Sequence, residues 1–123
     1  MNLHEEIRLL APSMIAMRRD FHRHPEIGFE EFRTAGILAD HLEALGLEVS
    51  RGVGGTGVVA GLRRAHAGKT VMLRADIDAL PILETTGAEY ASVNPGAMHA
   101  CGHDGHASVT AYVASLFAKH QGT

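Results

Sequence analysis

Residues 98–107 read MHACGHDGHA and concentrate reactive side chains in one short stretch: three histidines, one aspartate and the chain's only cysteine. Thiolate and imidazole are the preferred ligands of zinc and related divalent metals. Gly102 lies between Cys101 and His103, and a glycine lets the backbone turn so that both side chains face one point. The stretch therefore predicts a metal site built on Cys101 and His103. Three neighbours could add ligands or orient these two: His99, Asp104 and His106.

Two other interpretations of this stretch remain open. The cysteine could be buried and inert beside a polar loop, although such loops are rarely buried and a histidine cluster is poor core material. A closed structural zinc module is the weaker alternative, because it needs a second ligand pair elsewhere in the chain. Metal binding with an open coordination sphere is the favoured hypothesis.

The segment RADIDALP, residues 74–81, places two carboxylates directly after an apolar segment that reads as a strand. Ligands collect at the carboxyl ends of strands in open α/β sheets, so Asp76 and Asp78 are well placed for a site. Two close carboxylates repel each other, and a cation between them relieves that repulsion. Taken alone, the pair could equally solvate the strand end or cap a turn.

A further histidine pair, His22 and His24, lies in RRDFHRHPEIGFEE. Residues two apart on a helix point away from each other, which is poor ligand geometry unless the helix has ended. Pro25 favours such an ending. We expect a structural role for these histidines in preference to metal ligation.

Apolar residues recur at three- and four-residue steps in two early segments, residues 3–21 and 29–45, which predicts two amphipathic helices. Pro12 falls inside the first segment and is expected to kink that helix or to split it in two. The pair Glu30–Glu31 is expected in the first turn of the second helix, where it would complement the helix dipole. Gly46 is placed to cap the end of that helix.

The periodicity then changes to that of strands. Residues 47–50 and 58–64 predict a hairpin across the turn GVGGTG, and HAGK at 66–69 predicts another turn. TVMLRAD, residues 70–76, is the strongest predicted strand. A last helix is expected from about Ala107 to Lys119, after a long loop. This order, ααβββ-loop-α, predicts an α/β sandwich with a mixed sheet.

Composition excludes several classes of function. The 123 residues are 46% hydrophobic and 20% charged, as in a folded domain, and the net charge of -3 gives no electrostatic support for nucleic acid or an anionic membrane. No segment approaches the ~20 apolar residues of a membrane span. GVGGTGVVAG precedes a strand rather than a helix, so it is read as a turn and not as a dinucleotide-binding motif. A single cysteine fits a reducing, cytoplasmic location.

Three motifs together carry a family resemblance: RRDFHRHPEIGFEEFRT, VMLRADIDALP and MHACGHDGHAS. In this order and spacing they resemble the amino-terminal segment of the metal-dependent amidohydrolases. That family includes hippurate hydrolases, N-acyl-L-amino acid amidohydrolases and indole-3-acetyl-amino acid hydrolases, within the aminoacylase–carboxypeptidase group. The resemblance runs from about Leu10 to Lys119 and implies a zinc-peptidase-like fold. It makes residues 1–123 the amino-terminal part of a catalytic metallohydrolase domain, without the lid or dimerisation domain.

The resemblance also implies roles for individual residues. Cys101 and His103 match metal ligands, with the cysteine bridging two divalent ions of zinc, manganese, cobalt or nickel. Asp78 matches an aspartate that supports the catalytic centre. Asp76 stands where the wider group has a ligand histidine, so its contact with metal is in doubt. His22, His24 and His106 match supporting or structural positions.

The implied activity is hydrolysis of N-acyl-amino acids, small-molecule substrates, to a carboxylic acid and a free amino acid. Family members continue through a glutamate pair that supplies the general base and another ligand, and this sequence has no counterpart for that pair. We therefore expect weak or absent turnover from these 123 residues alone. The alternative is a catalytically inactive, truncated fragment that binds metal. Whether it forms a homo-oligomer stays open.

Overall fold

The computed structural model describes residues 1–64 and 68–121, and this part of the chain is a mixed α/β structure. Its elements, in chain order, are α1 (Leu3–Arg23), α2 (Phe32–Ala44), β1 (Glu48–Val53), β2 (Gly57–Gly61) and α3 (His103–Lys119). The α/β class is therefore confirmed. The sheet differs from the prediction, because β1 and β2 form an antiparallel two-stranded hairpin rather than part of a mixed sheet.

Helix α1 begins at a capping box. The Asn2 side chain accepts the Glu5 N–H at 3.0 Å, and the Glu5 carboxylate accepts the Asn2 N–H at 3.2 Å. The helix then continues through Pro12, so the expected split into two helices is wrong. A proline removes only one helical hydrogen bond, and the contacts of α1 with α3 support the continuous helix.

Helix α2 ends as the sequence predicts. Gly46 has φ of +86°, its N–H donates to the Glu43 carbonyl at 2.9 Å, and the Leu47 N–H donates to the Leu42 carbonyl at 3.3 Å. This pair of bonds is a Schellman motif, which satisfies the last carbonyls of the helix. The start of α2 differs from the prediction, because Glu30–Glu31 precede its first turn.

The strand expected at residues 70–76 is not formed, and that prediction is wrong. Val71, Met72 and Leu73 are 79%, 85% and 52% exposed, in an extended but unpaired backbone. A strand needs a neighbour to accept and donate its backbone hydrogen bonds, and among the described residues no segment pairs with this one. The turn expected at 66–69 begins at residues outside the described part of the chain.

Helix α3 begins at His103, four residues before the predicted start, so His103, Asp104 and His106 belong to the helix. Gly102 precedes it with φ of +86°, in the left-handed region that favours glycine. The small core lies where α1, α2 and α3 meet, and is formed by Phe21, Leu38, Ala107 and Ala111. Within the described ranges, the helices fall short of the length and apolar character that a bilayer crossing requires.

Candidate metal centre

His103 and Asp78, which are 25 residues apart in sequence, are in direct contact. The His103 Nδ1 atom lies 2.9 Å from the Asp78 carbonyl oxygen and 3.0 Å from the Asp78 carboxylate Oδ1. Both partners are acceptors, so Nδ1 carries the hydrogen of the neutral ring. The lone pair is then on Nε2, the atom that would bind a metal. A carboxylate behind a histidine in this way fixes its tautomer and orientation, as in many metal sites.

Short backbone pairings bring the two sequence motifs together. The Ala79 N–H donates to the Glu26 carbonyl at 2.8 Å, which joins the Asp78 segment to the loop after α1. Leu80 and Met98 exchange two hydrogen bonds of 2.9 Å each, which joins it to the segment before Cys101. These isolated bridges, rather than the strand predicted at residues 70–76, hold the segments of the candidate site together.

Cys101 is exposed, directly before the left-handed Gly102 and the first turn of α3. Its accessibility and its closeness in sequence to His103 suit a ligand, and the alternative of a buried, inert cysteine does not agree with this exposure. Within residues 1–64 and 68–121, however, no three His, Cys, Asp or Glu side chains are grouped to hold a metal ion. The donor types thus fit a divalent metal, while the described residues do not assemble a complete coordination sphere.

Asp76 lies at the edge of this arrangement. Its Oδ2 atom is 4.0 Å from His103 Nε2, the nitrogen that faces away from Asp78. The Arg74 guanidinium binds both of its carboxylate oxygens, at 2.6 Å and 3.2 Å. Asp76 therefore lies near Nε2 of His103, but its carboxylate is paired with Arg74.

A buried ionic network adjoins the candidate site through Asp104, the residue after His103. The sequence predicted only two of its members, His22 and Asp104. Asp104, 1% exposed, accepts from Arg18 Nε at 2.9 Å and from His22 Nδ1 at 2.8 Å through the same oxygen, Oδ2. The other ring nitrogen of His22 lies 3.0 Å from the Glu84 carboxylate. Arg18 and Glu84 carried no signal beyond their charge, because their roles depend on contacts distant in sequence.

The Glu84 carboxylate stays charged inside this network. Burial raises the pKa of the Glu84 carboxyl, but hydrogen bonds from Thr86, from the Ser92 N–H and from His22 outweigh it, so the pKa lies below the usual value. Charged hydrogen bonds of this kind are stronger than neutral ones. The contact with His22 ties the loop between the two sequence motifs to the end of α1.

His99 is a buried histidine, 4% exposed, and neither of its ring nitrogens has a hydrogen-bond partner within the described residues. Burial lowers the pKa of His99, and the nearby Asp104 carboxylate opposes that effect. His106 and His24 are more exposed than His99. His106 is exposed, with its ring 6.2 Å from that of His103, and His24 Nδ1 donates to the Asp20 carbonyl at 3.0 Å.

Comparison with known proteins agrees with the resemblance. The model of peptidase family M20/M25/M40 matches residues 72–123. The N-acyl-L-amino acid amidohydrolase of Geobacillus stearothermophilus is 45% identical over 120 residues, covering 94% of this chain and 32% of that protein. The hippurate hydrolase of Campylobacter jejuni is 45% identical over 106 residues, covering 86% of this chain and 28% of that protein.

A solved structure extends the likeness to three dimensions. The Bacillus subtilis YXEP protein, described as a dinuclear metal binding peptidase from the M20 family, superposes with a TM-score of 0.87 at 38% identity. The match covers 93% of this chain and 32% of that structure. The chain thus matches the amino-terminal segment of the metal-dependent amidohydrolases of this family over most of its own length. It spans about a third or less of the length of these relatives.

Proposed function

We propose that residues 1–123 form the amino-terminal part of the catalytic domain of an amidohydrolase that cleaves N-acyl-amino acids to a carboxylic acid and a free amino acid. The observation that carries this proposal is the contact of His103 Nδ1 with Asp78. It leaves Nε2 free to bind a metal, and an exposed cysteine lies two residues before His103 in sequence. The family model that matches the chain is one of peptidases.

In this proposal Cys101 and His103 are metal ligands and Asp78 orients His103. A divalent metal, when bound, lowers the pKa of a coordinated water and polarises the amide carbonyl. The description of the neighbouring structure as dinuclear supports two ions. The sulfur and nitrogen donors are compatible with zinc, manganese, cobalt or nickel.

The substrate class rests on the relatives. Two of them are named for hydrolysis of N-acyl-amino acids and of hippurate, which is itself an N-acylated amino acid. We extend this class to the present chain because both relatives match it over most of its length. The single cysteine supports a cytoplasmic location, since a reducing compartment keeps a free thiol intact.

A second candidate function is metal binding without turnover. The two donors Cys101 and His103 favour binding, and turnover is disfavoured because no three side chains among the described residues are grouped to hold an ion. The general base and the further ligands that the family resemblance implies have no counterpart in these 123 residues. We therefore expect no hydrolysis of N-acyl-amino acids above background by this chain alone, and robust turnover would contradict that expectation.

Metal binding by the 123-residue chain tests the ligand assignment. Titration with Co²⁺, followed by calorimetry and by the thiolate-to-cobalt absorption band, should show binding that Cys101→Ala abolishes and that His103→Ala weakens at least about tenfold. His106→Ala is the matched control, because His106 is the exposed histidine closest in sequence to His103, and it should leave the affinity unchanged. Equal binding by Cys101→Ala and the parent chain would overturn the assignment.

A further inference from the structure

The buried carboxylate of Asp104 follows His103 directly in the first turn of α3. It is 1% exposed and accepts two charged hydrogen bonds, from Arg18 and His22, both residues of α1. Successive helical residues point in different directions, about 100° apart. At the helix start, His103 is therefore directed toward Asp78, and the following residue, Asp104, is anchored inward on α1.

His22 is the centre of this anchor. Its two ring nitrogens lie 2.8 Å from Asp104 and 3.0 Å from Glu84, and ionised carboxylates only accept hydrogen bonds. Both nitrogens therefore face carboxylate oxygens, and neither is open to a metal. His22 thus joins three parts of the structure: the end of α1, the first turn of α3 and the loop that holds Glu84.

That loop connects the Asp78 segment to the Cys101 segment, and it is fixed to α1 at further points. The Val93 N–H donates to the Arg23 carbonyl at 2.9 Å. The ring of Tyr90 lies 5.0 Å from the Arg18 guanidinium and 4.7 Å from that of Arg19. The chain that links the two motifs is therefore held by the same turn of α1 that holds Asp104.

We propose that Asp104 and His22 are positioning residues, which fix the first turn of α3 so that His103 meets Asp78 and presents Nε2 to a metal. This inference rests on the proposed function for the identity of the ligand. The geometric part, that Asp104 and His22 determine the contact of His103 with Asp78, is independent of it.

The structure supplies a control for purely structural effects. Glu6, 5% exposed, joins the same two helices at their opposite end, with Lys119 Nζ at 3.1 Å and His120 Nε2 at 2.7 Å. Each cluster links α1 to the α3 region through one buried carboxylate with basic partners. A merely structural role predicts that weakening either cluster affects the metal site in proportion to the stability lost. A positioning role predicts an effect from the Asp104 cluster alone.

The experiment compares Asp104→Asn, His22→Gln and Glu6→Gln in the 123-residue chain. Zn²⁺ affinity is measured by calorimetry well below each melting temperature. We expect Asp104→Asn and His22→Gln to weaken Zn²⁺ binding about 10- to 100-fold, the usual effect of losing a group behind a ligand. Glu6→Gln should leave it within about twofold, even at an equal loss of melting temperature.

Nitrogen NMR of the histidine rings gives a second readout, which needs no metal. The parent chain should show His103 as the Nδ1–H tautomer, and Asp104→Asn should shift it toward a mixture of tautomers. Arg18→Ala, which removes only the partly exposed donor to Asp104, is the milder variant if the buried substitutions do not fold. The proposal would be overturned if all variants lost the same Zn²⁺ affinity per degree of lost melting temperature. It would also be overturned if the His103 tautomer were unchanged in Asp104→Asn or Arg18→Ala.

The experiments distinguish an error in the ligand assignment from an error in the positioning role. If the parent chain binds no Zn²⁺ but its His103 tautomer still depends on Asp104, the ligand assignment is wrong and the positioning role stands. If the chain binds Zn²⁺ through Cys101 and His103 but the Asp104 variants bind it equally well, the positioning role is wrong.

Discussion

At the scale of single residues, the arrangement of His103 shows how a short motif becomes a candidate site. The motif supplies an imidazole, but the imidazole is useful as a ligand only if one nitrogen is reserved for the metal. Asp78 accepts the Nδ1–H through its carbonyl and its carboxylate, which leaves Nε2 available for a metal. Either oxygen can set the tautomer, and the carboxylate also places negative charge behind the ring.

Replacing Asp78 by asparagine should separate these two effects. The backbone carbonyl still accepts the Nδ1–H in Asp78→Asn, so the tautomer should persist while the charge is lost. We expect about tenfold weaker Zn²⁺ binding with an unchanged tautomer in nitrogen NMR. Asp76→Asn is the comparison, because Arg74 already engages that carboxylate. It should weaken binding less, and a larger loss would identify Asp76 as a ligand.

At the scale of elements, glycines decide where the helices begin and end. Gly46 and Gly102 both have φ of +86°, one just after α2 and the other just before α3. A side chain in this region costs about 1–2 kcal/mol through contact with its own backbone. Gly36 lies inside α2, where a glycine lowers helix stability because it has more backbone freedom to lose.

Two glycine-to-alanine substitutions should therefore change stability in opposite directions. A Cβ at Gly46 or at Gly36 meets nothing within 4 Å, so neither substitution is limited by space. Gly46→Ala should lower the free energy of unfolding by about 1 kcal/mol because of its positive φ, and Gly36→Ala should raise it by about 0.5–1 kcal/mol. Urea unfolding followed by circular dichroism measures both. A stabilising Gly46→Ala would contradict the role of Gly46 in ending α2.

At the scale of the whole molecule, buried acids make the fold sensitive to low pH. The pKa of the Glu6 carboxyl is lowered by hydrogen bonds from His120 and Lys119, and the pKa of Glu84 is lowered within the His22 network. Both have a usual value of 4.5 when unfolded, so the unfolded chain binds protons first as the pH falls. Protonation then favours unfolding, and the stability present above this value is lost below it.

The melting temperature should accordingly fall as the pH is lowered from about 5 to about 3, and Glu84→Gln should reduce that slope. The variant loses the charged partner of His22, so it should also melt at a lower temperature than the parent at about pH 6, where the parent's Glu84 is ionised. Calorimetry across this range measures both effects. An unchanged slope in Glu84→Gln would show that Glu84 does not contribute to the acid sensitivity.

Much of the local structure follows from the sequence because its causes are local. The helical periodicity, the Gly46 cap and the hairpin depend on residues a few positions apart, and all three are confirmed. The family resemblance was likewise readable, because three motifs in fixed order are a property of the chain itself. The proposal of Cys101 and His103 as ligands came from their types and spacing.

Other features required the tertiary structure. The segment at 70–76 has the composition of a strand, yet it is exposed and unpaired, because pairing depends on a neighbour and not on composition. The Asp78–His103 contact spans 25 residues, and the contact between His22 and Asp104 spans 82. The sequence by itself determined which side chains could do chemistry. Only the fold decided which of them meet, because burial and long-range hydrogen bonds are set by the packing of α1 against α3.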